Sequence, residues 1–306
     1  MNINQLLIES IEKLKKKKNI TPQLDAELLL GFILKKPREY ILIHPEYQLT
    51  KPQEIRYKKI LERRLNHEPI AYILGQKEFY GLNFKVTKDT LIPRPETESL
   101  VELALCSMKH ETYNKKNTTI IDIGTGSGNI IISLAKKIES ENLLHASCFM
   151  LYGIDISQKA LTIAKHNAKK NNVADRIKFL KGNLLEPIIK NVNCYMLHAS
   201  CSMIIIANLP YLSKKIYSET MPDVKKFEPR SALLSGIDGL DHYEKLFQQI
   251  TLLKKNCFMF QVSCFMEISP EQKQKITKLI KKYFPKANIE FQKDLAQKWR
   301  VAIFEI

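Results

Sequence analysis

Two short stretches carry residue types and spacings that can do chemistry. The first is Asp122-Ile123-Gly124-Thr125-Gly126-Ser127-Gly128, which ends one apolar run and leads into another, Asn129 to Ala135. Glycines let the backbone take positive φ and approach a ligand closely, and a helix opening behind them offers free N–H groups. Asp122, Gly124, Thr125, Gly126, Ser127 and Gly128 are therefore candidate cofactor contacts. A dinucleotide fingerprint wants glycine at the first, third and sixth places; the sixth place here is Asn129, which argues against a dinucleotide. The second stretch is Asn208-Leu209-Pro210-Tyr211, at the end of a further apolar run. An amide or exocyclic amine nitrogen is a poor nucleophile because its lone pair is delocalised. The side-chain oxygen of Asn208 and the carbonyl of Leu209 can accept its two N–H bonds, hold the nitrogen toward an electrophile and stabilise the charge growing on it. Pro210 keeps residue 209 extended, and Tyr211 offers a ring to pack on the substrate plane.

Asp155 and Asn183-Leu184 extend the candidate site. A carboxylate about 20 residues past such a loop accepts hydrogen bonds from ribose hydroxyls in dinucleotide folds. Asp155 lies further on, and an insert at His145 to Met150 accounts for the excess. Asp155 can also be read as a first-turn acid ahead of Ser157. After the third strand of this region, Gly182-Asn183-Leu184 stands where adenine would be read: the Asn183 amide can give and accept hydrogen bonds, and Leu184 can cover a ring face. An ordinary turn is the competing reading of those residues.

These residues need elements to position them. From Thr119 the chain alternates strands and helices: strand Thr119 to Ile123, strand Leu151 to Ile156, helix Gln158 to Asn171, strand Ile177 to Leu180 and strand Met203 to Asn208. A strand near Cys257 to Ile268, helix Pro270 to Tyr283 and strands Asn288 to Phe291 and Trp299 to Phe304 follow. That succession predicts an α/β doubly wound sheet, with the last two strands antiparallel because their connection is too short for a crossover. Before it, Ile3, Leu6, Leu7, Ile11 and Leu14 recur at helical spacing. Thr21-Pro22 opens a helix to about Leu34, Pro37 a shorter one, and Thr50-Lys51-Pro52 a long one to about Asn66. The predicted organisation is a helical substrate-docking domain over 1–70, a hairpin-like linker over 71–90 and a catalytic domain over 91–306. Within the linker, Ala71 to Leu74, Phe79 to Leu82 and Phe84 to Val86 read as short strands.

The 306 residues, 44% hydrophobic and 26% charged, are those of a globular chain with room for a sizeable core. Apolar runs such as Met203 to Ala207 are far too short for a bilayer, which needs about 20 residues. The N-terminus lacks a basic start and apolar core, so no membrane association and a cytoplasmic location are expected. A net charge of +16 fits either a phosphate-rich partner or a lysine-rich solvated surface. Direct nucleic-acid binding is thus open but not required. A Cys/Met-rich peptide recurs at 143–150, 193–203 and 256–266 and holds five of the six cysteines. Its Cys-x-Met pairs suit Cu(I), but an inert duplicated insert is the preferred reading, with no metal site, and a disulfide framework is not expected.

At this point the chain resembles a family, the protein-(glutamine-N5) methyltransferases of peptide-chain release factors. The loop spacing Asp-x-Gly-x-Gly-x-Gly is similar to that of methyltransferases binding S-adenosylmethionine. Glu68 to Gly75 with Glu78 to Leu82 look like the family's linker hairpin. Leu91-Ile92-Pro93-Arg94-Pro95-Glu96-Thr97-Glu98 resembles its entry to the catalytic domain. Glu228-Pro229-Arg230, Gly236 to His242, and Glu267 with Gln272 resemble further segments. The resemblance implies a small all-helical N-terminal domain joined to a seven-stranded class I methyltransferase sheet, with S-adenosyl-L-methionine as cofactor. It implies class I release factors as protein substrates, methylated on the glutamine of a Gly-Gly-Gln motif. Gly124 to Gly128, Asp155 and Asn208 would contact the cofactor, and Asn208 to Tyr211 would receive the glutamine. Arg94 and Glu96 are read as interdomain ion-pair residues. Two departures stand out: Leu209 replaces the first proline of the family's usual Asn-Pro-Pro-Tyr, and Leu184 stands where an aromatic is common. The alternatives are an adenine-N6 methyltransferase of ribosomal RNA, which shares the amine-presenting tetrapeptide, and a methyltransferase fold disabled by its insertions.

Overall fold

A computed structural model of the chain describes residues 1–113, 118–141, 149–190, 202–256 and 261–306. They form two compact units, residues 1–76 with 221–227, and residues 77–220 with 228–306.

The first unit is helical: α1 (Ile3–Lys16), α2 (Pro22–Leu34), α3 (Arg38–Ile43), α4 (Lys51–Leu65) and α5 (Ile70–Leu74). Asn2 with Gln5 and Thr50 with Gln53 form capping boxes that start α1 and α4. Ile3, Leu6, Leu14, Leu29, Leu30, Tyr57 and Leu61 make its core. The segment Ala71 to Leu74, expected as a strand, is the helix α5. Four apolar residues carry no decisive period, and the Pro69 carbonyl accepts the N–H groups of Tyr72 and Ile73 at 3.0 and 3.1 Å, which closes a helical turn.

The second unit starts one residue into a hairpin of β1 (Gln76–Phe79) and β2 (Leu82–Lys85). Phe79 to Leu82 is therefore not a strand: Tyr80 and Gly81 both have positive φ and make the two-residue turn. A seven-stranded sheet follows in the order β5-β4-β3-β6-β7-β9-β8. Its strands are β3 (Thr118–Ile123), β4 (Phe149–Asp155), β5 (Ile177–Lys181), β6 (Ser202–Ala207), β7 (Gln261–Glu267), β8 (Asn288–Lys293) and β9 (Trp299–Glu305). From β5 to β7 neighbours pair in parallel, and β9 pairs antiparallel with both β7 and β8. β3 and β6 are buried on both faces, as parallel strands between helical layers must be. Ile120, Ile204, Ile206 and Phe265 face a core shared with α6 (Glu98–Tyr113) and α7 (Asn129–Ser140). Ile121, Ile205 and Cys264 face the opposite core. That second core holds α12 (Asp241–Asn256), an element absent from the sequence-derived succession. Its buried Tyr243, Leu246, Phe247, Ile250 and Leu253 have helical spacing. α8 (Gln158–Lys170), α9 (Glu186–Lys190), α10 (Lys214–Glu219) and α13 (Lys273–Tyr283) complete the unit.

One short helix, α11 (Pro222–Phe227), packs with the first unit although its sequence neighbours belong to the second. The reason is electrostatic: Asp223 takes Arg64 Nη1 at 2.7 Å, while Arg64 Nε reaches Asp25 at 2.5 Å.

The Cys/Met-rich copies lie mostly outside the described residues, and with them the Cu(I) reading of Cys148, Cys194, Cys201 and Cys257. Asn256 closes α12, and the other described residues are strand. Met150 is the second residue of β4 and Met203 the second of β6, and both pair with Thr119; Ser263 to Met266 lie inside β7. The pairing of β6 with β7 runs unbroken from Ser202–Gln261 to Ala207–Met266. No helix among the described residues is long and apolar enough to cross a membrane.

Candidate active site

Sheet order reverses at β3. The chain passes to β4 and β5 on one side of it and returns to β6 on the other, and ligands of open α/β sheets bind at the carboxyl ends beside such a switch point. Register sets what meets there. Ile123 pairs with both Ile154 and Ala207, and Ala207 pairs with Met266. Gly124, Asp155, Asn208 and Glu267 are the next residues of their strands, so all four emerge at one level of the sheet. Gly124, Asp155 and Asn208 line a cleft of about 340 Å³, within the range of small-molecule sites, and Glu267 stands behind it.

The glycine loop is bolted to β4: the N–H groups of Gly124 and Thr125 both donate to the Ile154 carbonyl, at 2.8 and 2.9 Å. Gly128 has φ +81°, and a Cβ there would sit 2.7 Å from Ile132 Cδ1 and 3.2 Å from Ala164 Cβ, so only glycine lets α7 start so close to α8. Gly124, Thr125, Gly126, Ser127 and Asn129 line the cleft. Asp122 does not line it. Its carboxyl is fully buried beneath the loop, with Oδ2 accepting the Thr125 hydroxyl at 2.6 Å and Oδ1 without a hydrogen-bond partner. Burial pushes it up to about 7, against the pull of the Thr125 hydroxyl and the Ile131 N–H.

Asp155 faces the cleft from the end of β4. Its Oδ2 accepts the Gly126 N–H at 2.9 Å and its Oδ1 the Ser157 N–H at 2.8 Å. Each oxygen keeps a second lone pair, which suits it to a pair of ribose hydroxyls. Burial raises its carboxyl above the usual range, and those two N–H bonds hold it back. Beside it, Ile156 lines the cleft and is 64% exposed, free to lie on a ring; sequence reasoning passed over it. Asn183 and Leu184 line the same wall. Gln249 of α12 fixes that turn, accepting the Leu185 N–H at 2.7 Å and donating to the Asn183 carbonyl at 3.2 Å. Leu184 adopts φ +57°, a left-handed conformation that costs a branched side chain energy.

Asn208, Leu209 and Pro210 form the remaining wall. Leu209 is buried, with Cδ2 against Gly124. Asn208 Nδ2 donates to Thr97 Oγ1 at 3.1 Å, and Thr97 in turn donates to Glu267 Oε2 at 2.7 Å. Tyr211 does not line the cleft; its hydroxyl donates to Glu267 Oε1 at 3.0 Å, and its carbonyl accepts Gln272 Nε2 at 2.9 Å. Arg94 and the Ile92 N–H both bond to Glu228, which is buried. The ion pair expected of Arg94 is thus made inside the second unit, and Glu96 is exposed on its surface. Thr97, Glu228, Gln249, Glu267 and Gln272 were not singled out by chemistry, although four of them fall in stretches of family resemblance. Their sole sequence signal is that resemblance.

A nucleoside with a charged amino-acid arm fits this donor set. The Asp155 oxygens suit its ribose, Ile156, Asn183 and Leu184 its base, and the glycine-loop backbone its arm. The described residues hold no cluster of acids, His and Cys suited to a metal.

Residues 5–75 match the PrmC N-terminal domain family, and residues 114–283 match a methyltransferase domain family. A release factor glutamine methyltransferase of Clostridium botulinum is 36% identical over 302 residues, covering 98% of each chain. One of Dictyoglomus turgidum is 38% identical over 281 residues, covering 90% of each. Among solved structures, the N-terminal domain of human METTL16 in complex with SAH superposes with a TM-score of 0.50 at 16% identity, covering 90% of this chain and 93% of its own, a likeness of fold.

Proposed function

The chain belongs to the release factor glutamine methyltransferases, S-adenosylmethionine-dependent enzymes, and from that premise we propose its substrate atom and the residues that handle it. The atom is the side-chain amide nitrogen (N5) of the glutamine in the Gly-Gly-Gln motif of class I release factors. The cofactor supplies an electrophilic methyl group on its sulfonium. Asp155 holds the ribose, Asn183 and Leu184 the adenine, and the backbone from Gly124 to Gly128 the amino-acid arm, with the buried Asp122 bracing that loop. Asn208 Oδ1 and the Leu209 carbonyl accept the two N–H bonds of the glutamine amide. They aim its nitrogen at the methyl and stabilise the charge that develops as the bond forms. Pro210 and Tyr211 keep that acceptor pair in shape. The helical unit serves as the docking surface for the release factor, and the cytoplasm is where the reaction runs.

The observation that carries this reading is the pairing of Ile123 with Ala207, which sets the glycine loop and the amide-accepting tetrapeptide side by side. The unbroken register of β6 speaks against a fold disabled by its insertions, since a one-residue slip would turn inward side chains outward. The test is incubation with methyl-labelled S-adenosylmethionine and either a release factor or ribosomal RNA. Label on the release factor that vanishes when its Gly-Gly-Gln glutamine is changed is the expected result. Label on RNA alone would sink the reading.

A further inference from the structure

Glu267 ends β7 behind the cleft and is not part of its lining, yet it bonds to Thr97, which is, and reaches three of the four residues of the tetrapeptide. Its Oε1 accepts the Tyr211 hydroxyl at 3.0 Å. Its Oε2 accepts the Thr97 hydroxyl, which accepts Asn208 Nδ2. Its backbone carbonyl accepts the hydroxyl of Tyr243, itself joined by a backbone hydrogen bond to Leu209. Glu267 is 2% exposed and Thr97 1% exposed, so water does not compete for these bonds.

We propose that Glu267 is a positioning residue for methyl transfer, setting through Thr97 which way the Asn208 amide faces. The inference rests on the methyl-transfer reading above. A threonine hydroxyl has one proton. Once that proton is given to Glu267, only lone pairs remain for Asn208, so the amide must turn its NH₂ toward Thr97. The Asn208 oxygen is then left to accept a substrate N–H. A flipped amide would set two acceptors against each other in a buried place, which is costly. Burial pushes the Glu267 carboxyl up, while the Thr97 and Tyr211 hydroxyls and the charge of Arg300 favour its ionised form, in which it is a pure acceptor for those two hydroxyls; Arg300 itself is paired with Asp294 at 2.9 Å. A neutral side chain of the same shape changes the pattern. In Glu267→Gln one terminal group becomes a donor, so either Thr97 or Tyr211 must reverse its hydroxyl. If Thr97 reverses, the Asn208 amide flips with it.

Turnover on the release factor, cofactor affinity by calorimetry and thermal unfolding are measured for the full-length wild type, Glu267→Gln, Thr97→Val, Thr97→Ser and the double variant. A positioning role lowers kcat about 100-fold in Thr97→Val, and in Glu267→Gln when Thr97 is the hydroxyl that reverses. Cofactor Kd stays within about twofold, Thr97→Ser recovers most of the rate, and the double variant is no slower than Thr97→Val alone. In a ¹⁵N–¹H spectrum the Asn208 side-chain amide shifts in Glu267→Gln and stays in place in Thr97→Ser. An unchanged kcat in Thr97→Val beside an active wild type overturns the proposal alone, whichever hydroxyl Glu267→Gln reverses. So does a loss of rate that follows a matching loss of cofactor affinity and melting temperature, the mark of a merely structural group. A wild type that methylates no release factor overturns the functional reading, and the positioning role with it.

Discussion

Asp155 accepts the backbone N–H of Gly126 at 2.9 Å, so the carboxylate that faces the cleft from β4 also closes the glycine loop that follows β3. On the proposed reading the side chain both closes the loop and holds the ribose, and two substitutions separate these roles. Asp155→Asn keeps an oxygen for Gly126 but halves what is offered to a ribose. It is expected to weaken cofactor binding about 10-fold, a loss of about 1.4 kcal/mol, and to lower stability less than alanine does, because only the Ser157 N–H loses its acceptor. Asp155→Ala leaves the Gly126 and Ser157 N–H groups without their acceptor and is expected to cost a further ~1–3 kcal/mol of stability. Calorimetry with the cofactor and urea unfolding of both variants check the split. Equal destabilisation by the two would refute it.

Arg64 is the second shared residue, here between Asp25 and Asp223 of the helical unit. Its side chain is 10% exposed and that of Asp25 3% exposed. Removing the cation leaves the buried Asp25 carboxylate without its counter-charge, so Arg64→Met is expected to cost about 3–5 kcal/mol. Arg64→Lys should recover only part, because a single ammonium cannot present two separate N–H directions at once. Chemical denaturation, with limited proteolysis at α11 as a local probe, reads the result. Wild-type protection of residues 222–227 in Arg64→Met would mean that something else holds that helix.

Much of this was legible in the sequence because it depends on spacing. The helical starts at Thr21-Pro22 and Thr50-Lys51-Pro52, the strand-helix alternation after Thr119 and the antiparallel final pair all follow from local rules. Segments too short to show a period were not legible: α5 read as strand, and the Tyr80-Gly81 turn was merged into one. Nor was the back of the site. Thr97 and Glu267 lie 170 positions apart and meet only because β7 ends level with β6. Asp122 looked like a cofactor contact from its place before the glycines, but β3 is buried on both faces, and its carboxyl lies beneath the loop.

That burial gives Asp122 a pH signature. Its carboxyl is pushed up to about 7 from 3.8, so the folded chain holds a proton that the unfolded chain releases. The sign follows from linkage: this contribution to stability is complete below about pH 4 and is lost as pH rises through about 7. Asp122→Asn, neutral at every pH, should flatten the stability curve between those values and make the variant more stable than wild type at pH 8. Urea midpoints across that range check it. An equally steep fall in the variant would assign the slope to other groups.

Asn208 offers the sharpest separation of binding from turnover. The residue lines the cleft and its Nδ2 is spent on Thr97, which leaves Oδ1 as its acceptor. Asn208→Ala removes that acceptor from the developing charge and is expected to lower kcat about 100- to 1,000-fold, with cofactor affinity nearly unchanged. Asn208→Asp keeps an acceptor but cannot donate while ionised, and the Thr97 proton is already committed to Glu267. Its new carboxylate would face a lone pair, so this variant should also be slow near neutral pH. On acidification the new carboxyl gains a proton, can donate to Thr97 again and still presents an oxygen to the substrate. Its rate relative to wild type should therefore rise as pH falls, while Asn208→Ala shows no such recovery. Parallel pH profiles of kcat for the two variants decide it, and unchanged turnover in Asn208→Ala would remove Asn208 from the mechanism.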